Sequence, residues 1–223
     1  QMSWFTESTN TSNVETVVQE STPFYVESGE YKAKILFAGI YASTDNQSKG
    51  LYVSFGLENG TTIDQYINYQ GKDGKCTREI ETSEGKKTVK SIGLDTVEAW
   101  SKVIEFGKPS VEVIKKMWGK DKKITIFEKA GGVKVGVLVR HVQEPDQNGV
   151  MRDKNEIESI FDLDSRKTAN ELYFKEDDTR NFTINKWLEK IEKNPTLVRK
   201  PKGEKKQSVA DSAKAKEVED SGW

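Results

Sequence analysis

Two tyrosines and a scatter of lysines carry the chemistry that this sequence offers. Leu51-Tyr52-Val53-Ser54-Phe55-Gly56-Leu57 and Thr62-Ile63-Asp64-Gln65-Tyr66-Ile67-Asn68-Tyr69 alternate with the period of half-buried strands. Glu58-Asn59-Gly60 lies between them. A two-residue Asn59-Gly60 loop would mix apolar and polar side chains on each face of the hairpin. A three-residue loop with Gly60 left-handed in a bulge gathers Leu51, Val53, Phe55, Leu57, Ile63 and Ile67 on a mostly apolar face. That register sets Tyr52 directly opposite Tyr66 on a polar, solvent-facing side. Opposed rings with little apolar cover form a platform on which bases can stack; the same pair can also serve only to stabilise a hairpin.

Cations surround this platform in the sequence. Lys32 and Lys34 alternate on the strand-like stretch 31–38, on the side opposite Tyr31, Ile35 and Phe37. Lys72, Lys75, Arg78, Lys86, Lys87 and Lys90 crowd residues 70–90, where Thr77–Lys90 is expected to project as a hairpin around Glu84-Gly85. Lys120, Lys122 and Lys123 precede another strand. Arg140 falls on the even positions of 133–140, whose odd positions Val133, Val135, Val137 and Val139 are apolar. Cations tracking a phosphate chain beside aromatic faces are how single strands are held without sequence reading. On this pattern Lys32, Lys34, Arg78, Lys86, Lys87 and Arg140 are the expected phosphate contacts, with Tyr52 and Tyr66 as the stacking pair.

Catalytic constellations are lacking. Gly85-Lys86-Lys87-Thr88 has no glycine five residues before it, so no phosphate-cradling ATPase loop is formed. No Gly-x-Ser-x-Gly elbow occurs. Cys76 has no evident base, and His141 stands alone at a strand end. One His and one Cys cannot make a structural zinc site. Asp162, Asp164, Asp177 and Asp178 are the acidic residues that could hold Mg²⁺, but a solvated loop accounts for them. The chain is expected to be no enzyme and to need no metal or cofactor; a metal-dependent nuclease is the weakest alternative.

The elements that position these residues read as mainly β. Strands are expected near 31–38, 51–57, 62–69, 123–127, 133–140 and 156–161. Helices are expected at 95–105 with Asp95 as cap, at Ser110–Met117, and at 183–193, where Thr183 caps a stripe of Ile184, Trp187, Leu188 and Ile191. Composition sets the limits. In 223 residues, hydrophobic side chains make up only 34% and the net charge is −1. No apolar run is long enough to span a membrane, no leader is expected, and Gln1 reads as foreign to a natural start at Met2. A lone cysteine fits a reducing compartment, so a cytoplasmic location is expected. Residues 1–22 carry a charge of −3, 199–206 carry +4 and 207–223 carry −2, leaving the body between about neutral. The expected organisation is a flexible segment 1–22, a folded body 23–196, and a basic linker with an acidic tail over 197–223.

The phrases Glu27–Gly39 (ESGEYKAKILFAG), Ser48–Tyr69 (SKGLYVSFGLENGTTIDQYINY), Val135–Glu144 (VGVLVRHVQE) and Asn155–Leu172 (NEIESIFDLDSRKTANEL) complete the pattern. With a Lys-rich insert leading into a helix, a terminal helix, and an acidic tail ending in an aromatic residue, the chain resembles phage-encoded single-stranded DNA-binding proteins of the OB-fold type over about residues 25–193. The tail ends in Trp223 where such proteins usually end in Phe. The resemblance implies a five-stranded OB-like barrel with an inserted helical segment and a C-terminal helix. It also implies single-strand binding without sequence preference, in the cytoplasm of an infected host. Glu217, Glu219, Asp220 and Trp223 are then the expected contacts to replication, recombination or RNA polymerase proteins. The competing reading is a phage protein-interaction module, an inhibitor or transcription cofactor, on a β scaffold.

Overall fold

The alternating segments of the first half pair in the order in which they occur. The computed structural model describes residues 25–200 apart from 44, 45, 84, 118 and 119. The segment 1–22 and the tail residues Glu217, Glu219, Asp220 and Trp223 therefore lie outside the described residues. Strands β1 (Gly29–Ala42), β2 (Lys49–Leu57) and β3 (Thr62–Gln70) form an antiparallel meander. The β2–β3 register is that of the three-residue loop: Leu51 faces Ile67, Tyr52 faces Tyr66 and Phe55 faces Ile63. Gly60 adopts φ +86°, the left-handed conformation this turn requires.

β4 (Thr77–Thr82) and β5 (Gly85–Lys90) are the expected hairpin, and they form a separate two-stranded sheet. Helix α1 (Ile92–Trp100) begins earlier than the expected start and ends at Trp100. Ser91 rather than Asp95 caps it, its Oγ accepting from the Leu94 N–H at 3.1 Å. The expected helix at 110–117 is instead strand β6 (Val111–Met117), paired with β7 (Lys120–Ile126) as a two-stranded arm. Val111, Ile114 and Met117 have helical spacing. Val111 and Val113 also alternate as in a strand, and they find β-branched partners in Ile126 and Ile124. A 3-10 turn at Glu128–Ala130 leads into β8 (Lys134–Pro145) and β9 (Met151–Phe161). Two helices, α2 (Ala169–Tyr173) and α3 (Ile184–Lys193), and strand β10 (Thr196–Val198) complete the described chain. Thr183 caps α3 as expected, accepting from the Lys186 N–H at 3.2 Å.

The protein is mainly antiparallel β. The path runs β3-β2-β1-β8, with β9 on the other edge of β8. β1 is long enough to change neighbours: Gly29–Lys34 pair with β8, and Gly39–Tyr41 pair with β7. Among the described residues no ladder joins β3 to β9, so backbone pairing does not close the sheet. Across that gap Gln65 Oε1 accepts from the Ile157 N–H at 3.1 Å. The inner faces of β1, β2, β3, β8 and β9 enclose the main core, which includes Ile35, Leu51, Val53, Phe55, Val137 and Ile160. α1 seals it with Trp100, whose ring meets Phe55 edge-on at 5.7 Å between centroids.

A second core lies on the outer face of β8. There Leu138 and Phe161 pack under Ile184, Trp187 and Ile191 of α3. β8 is thus buried on both faces from Val135 to Val142. This corrects the expected exposure of its even positions: Arg140 is 2% exposed, and its Nε and Nη1 have no hydrogen-bond partner among the described residues. β10 adds a short parallel ladder to β8 across the expected boundary between body and linker at 196/197, and Arg199 beyond it pairs with Glu144 and Glu156. No described helix is long and apolar enough to cross a membrane.

Candidate nucleic-acid interface

A bulge decides which side chains share the outer face of the sheet. In β1 the register against β2 slips between Ile35 and Phe37, leaving Leu36 as the extra residue. Before the slip Lys34 lies opposite Gly56; after it Phe37 lies opposite Ser54 and Gly39 opposite Tyr52. Gly56, Ser54 and Tyr52 alternate on one side of β2. Phe37 therefore shares the face of Lys32 and Lys34, where simple alternation places it on the reverse. The face continues through Tyr41 on β1 and through Asp64 and Tyr66 on β3.

Its basic end surrounds a groove of about 400 Å³ lined by Lys32, Lys34, Lys134, Leu36, Thr62 and Leu163, among others. Lys34 stands directly across the β1–β8 ladder from Lys134, and all three lysines are exposed. The aromatic end is a cluster of four rings. Phe37 and Tyr52 are 5.7 Å apart between centroids, and so are Tyr41 and Tyr66. Small residues make room for it. A Cβ on Gly50 would stand 2.4 Å from the Tyr66 ring, and one on Gly39 would stand 2.5 Å from Ile124.

The β6–β7 arm folds over this cluster. Ile124 joins Tyr52 in a small buried group, with Val113, Ile126, Phe37 and Tyr66 against it. Lys115 Nζ lies 4.9 Å from the ring centroids of both Phe37 and Tyr52, and Lys122 Nζ lies 5.5 Å from that of Tyr41. Each such contact contributes about 0.5–1 kcal/mol where exposed and about 2 where desolvated. Tyr52 is consequently 4% exposed, which corrects the expectation of a solvent-facing ring. Burial, with the hydrogen bond and charge of Asp64, pushes its phenol pKa above the ordinary value; Ser54 opposes this weakly. Burial, with Tyr41 and Tyr69 nearby, also raises that of Tyr66. These rings therefore remain neutral hydroxyl-bearing faces at ordinary pH.

Of the expected site residues, the structure brings together Lys32, Lys34, Tyr52 and Tyr66. It does not bring Arg78, Lys86 and Lys87 into the cluster. They are exposed on the β4–β5 ribbon, where Lys86 lies opposite Glu81 and the other two point to the reverse side. Arg140 is excluded from the surface by its burial. Phe37, Tyr41, Lys115 and Lys134 were not singled out in sequence as contacts. A strand reading of 111–126 would have found Lys115, because it follows Val111 and Val113 at the same parity and lands opposite Lys122.

His141, Asp162 and Asp178 have structural partners. His141 is buried, its Nε2 2.8 Å from Asp153 and its Nδ1 3.1 Å from the Thr196 hydroxyl, with Tyr25 stacked on its ring at 4.3 Å. Asp162 accepts from the Ser165 N–H, and Asp178 is pulled down to about 2 by hydrogen bonds from Arg180. Among the described residues no group of three or more His, Cys, Asp or Glu could hold a metal ion. Searches against protein-family models and against curated proteins find no match to this chain.

Proposed function

We propose that this protein binds single-stranded DNA without sequence preference on the outer face of β1, β2 and β3. The observation that carries the reading is continuity: Lys32, Lys34 and Lys134 lead along one sheet face into Phe37, Tyr52, Tyr66 and Tyr41. Phosphates follow the lysines and bases stack on the rings, each stack contributing about 1–3 kcal/mol. Such a site tolerates any sequence because every base presents a π-face.

The strand order supports a partly open barrel of OB type. β1, β2, β3, β8 and β9 supply its five strands, α1 fills the connection between β3 and β8, and Gln65 bridges the unpaired seam. The β4–β5 ribbon carries Arg78, Lys86 and Lys87 as outlying phosphate contacts. The acidic tail with Glu217, Glu219, Asp220 and Trp223 recruits replication, recombination or RNA polymerase proteins, or returns to the empty DNA groove. A phage replication system in the host cytoplasm is the setting we assign.

Titration with poly-dT at low and high salt tests this reading. Tight, salt-sensitive quenching of tyrosine or tryptophan emission is expected. Unchanged emission at low salt would favour the protein-interaction module instead.

A further inference from the structure

We propose that Lys115 is an exchangeable member of the strand-binding site. In the free protein its ammonium stands over Phe37 and Tyr52, and on binding it moves to a phosphate and leaves the Phe37 face to a base. This rests on the single-strand reading above.

Three observations lead to it. First, one ammonium is shared between two rings, 4.9 Å from each centroid. An occupant so placed blocks the approach of a base. Tyr52 is 4% exposed and also packed against Ile124, whereas Phe37 is only half-buried, so Phe37 is the ring that a departing ammonium opens to a base.

Second, the charge arrangement is unfavourable without an anion. Lys115 stands directly opposite Lys122 in the β6–β7 ladder, and like charges so placed repel. Among the described residues neither forms an ion pair. The other face of the same two strands shows the contrast, because there Lys123 Nζ pairs with Glu112 at 3.1 Å. Third, the exchange needs little backbone motion. A lysine has a flexible four-carbon stem, and its ammonium can swing from ring to phosphate while the stem continues to cover apolar surface. A base then takes the place of the cation on the ring, and the cation gains a full negative charge as partner.

The test uses the full chain and dT oligonucleotides, with affinity measured by anisotropy over a series of salt concentrations. Lys115→Met keeps the stem and Lys115→Gln keeps a polar end; both remove the charge. Each is expected to lower the slope of log K against log [salt] by ~0.7, the value for one lost phosphate contact on a single strand. Lys102→Met, on an exposed residue after α1, is expected to leave the slope unchanged. Thermal unfolding of each variant confirms that it is folded. If the wild type binds with a salt-dependent slope that both Lys115 variants retain, Lys115 stays on the rings and the inference fails while the single-strand reading stands. If the wild type does not bind, both fail.

Discussion

The outer face of one sheet is covered in two different ways. Over β8 the cover is apolar: Ile184, Trp187 and Ile191 of α3 press on Leu138 and Phe161. Over β1 and β2 the cover is mixed: Ile124 and Val113 pack into the ring cluster, and Lys115 and Lys122 stand on Phe37, Tyr52 and Tyr41. Water gains nothing from uncovering the first, which is a permanent part of the core. The cationic part of the second is a set of individually weak contacts between groups that the proposed single strand would separately satisfy, rings by bases and ammonium groups by phosphates. Burial alone therefore does not mark a surface as structural; the chemistry of the covering group decides whether a ligand could replace it.

Breaking the apolar cover should have the largest effect. Trp187 is 2% exposed and its indole N–H donates to Glu158, so Trp187→Ala is expected to cost about 3–5 kcal/mol of unfolding free energy. Denaturant titration reads this directly, and oligonucleotide affinity of the folded fraction should not change. The cationic, aromatic region should respond in the opposite way. Tyr66 is half-buried, and Tyr66→Ala is expected to weaken dT binding by about 1–3 kcal/mol. Gly50→Ala should weaken it too, since the added methyl would displace that ring. A stability loss without an affinity loss in both variants would erase the distinction between the two regions.

Arg140 sharpens the comparison, because sequence assigned it to one region and the structure to the other. Its guanidinium is buried with two nitrogens unpartnered. Arg140→Met is therefore expected to be neutral or to stabilise by about 1–4 kcal/mol, with dT affinity unchanged. A marked loss of affinity at constant stability would return Arg140 to the binding face.

The smallest expected effect concerns acid. Hydrogen bonding to Lys154 first, and then to Arg199, holds the Glu144 carboxyl below its ordinary value. Burial would raise that of Glu156, but Arg199 and Lys154 outweigh it. Both folded values are depressed, so the stability they lend is full above about pH 4.5 and is lost as pH falls through the folded values. Denaturation midpoints followed downward from neutral pH should fall less steeply in Arg199→Met than in wild type. Parallel curves would show that this anchor of β10 contributes nothing.

Much of this was legible in the residues, for reasons that can be named. The β2–β3 register followed from segregating Leu51, Phe55 and Ile67 from Tyr52 and Tyr66. The β4–β5 hairpin and the α3 stripe followed from turn residues and helical spacing. What was not legible depended on contacts distant in sequence. Alternation along β8 could not announce that α3 would cover Leu138 on its second face, or that Arg140 would be buried there. The bulge at Leu36, which moves Phe37 to the lysine side, leaves no mark in an apolar run. Val111–Met117 fits two periodicities, and pairing with Lys120–Ile126 decides between them. With β6 read as a helix, neither the burial of Tyr52 nor the contact of Lys115 with the rings could be foreseen.

We propose that a single strand lies on the outer face of β1, β2 and β3. Ultraviolet crosslinking of a dT oligonucleotide to the full protein, followed by peptide mapping, reads out which side chains touch the bases. Covalent adducts are expected at Phe37, Tyr41, Tyr52 or Tyr66. Adducts confined to the β4–β5 ribbon or to α3, with none on these rings, would contradict it.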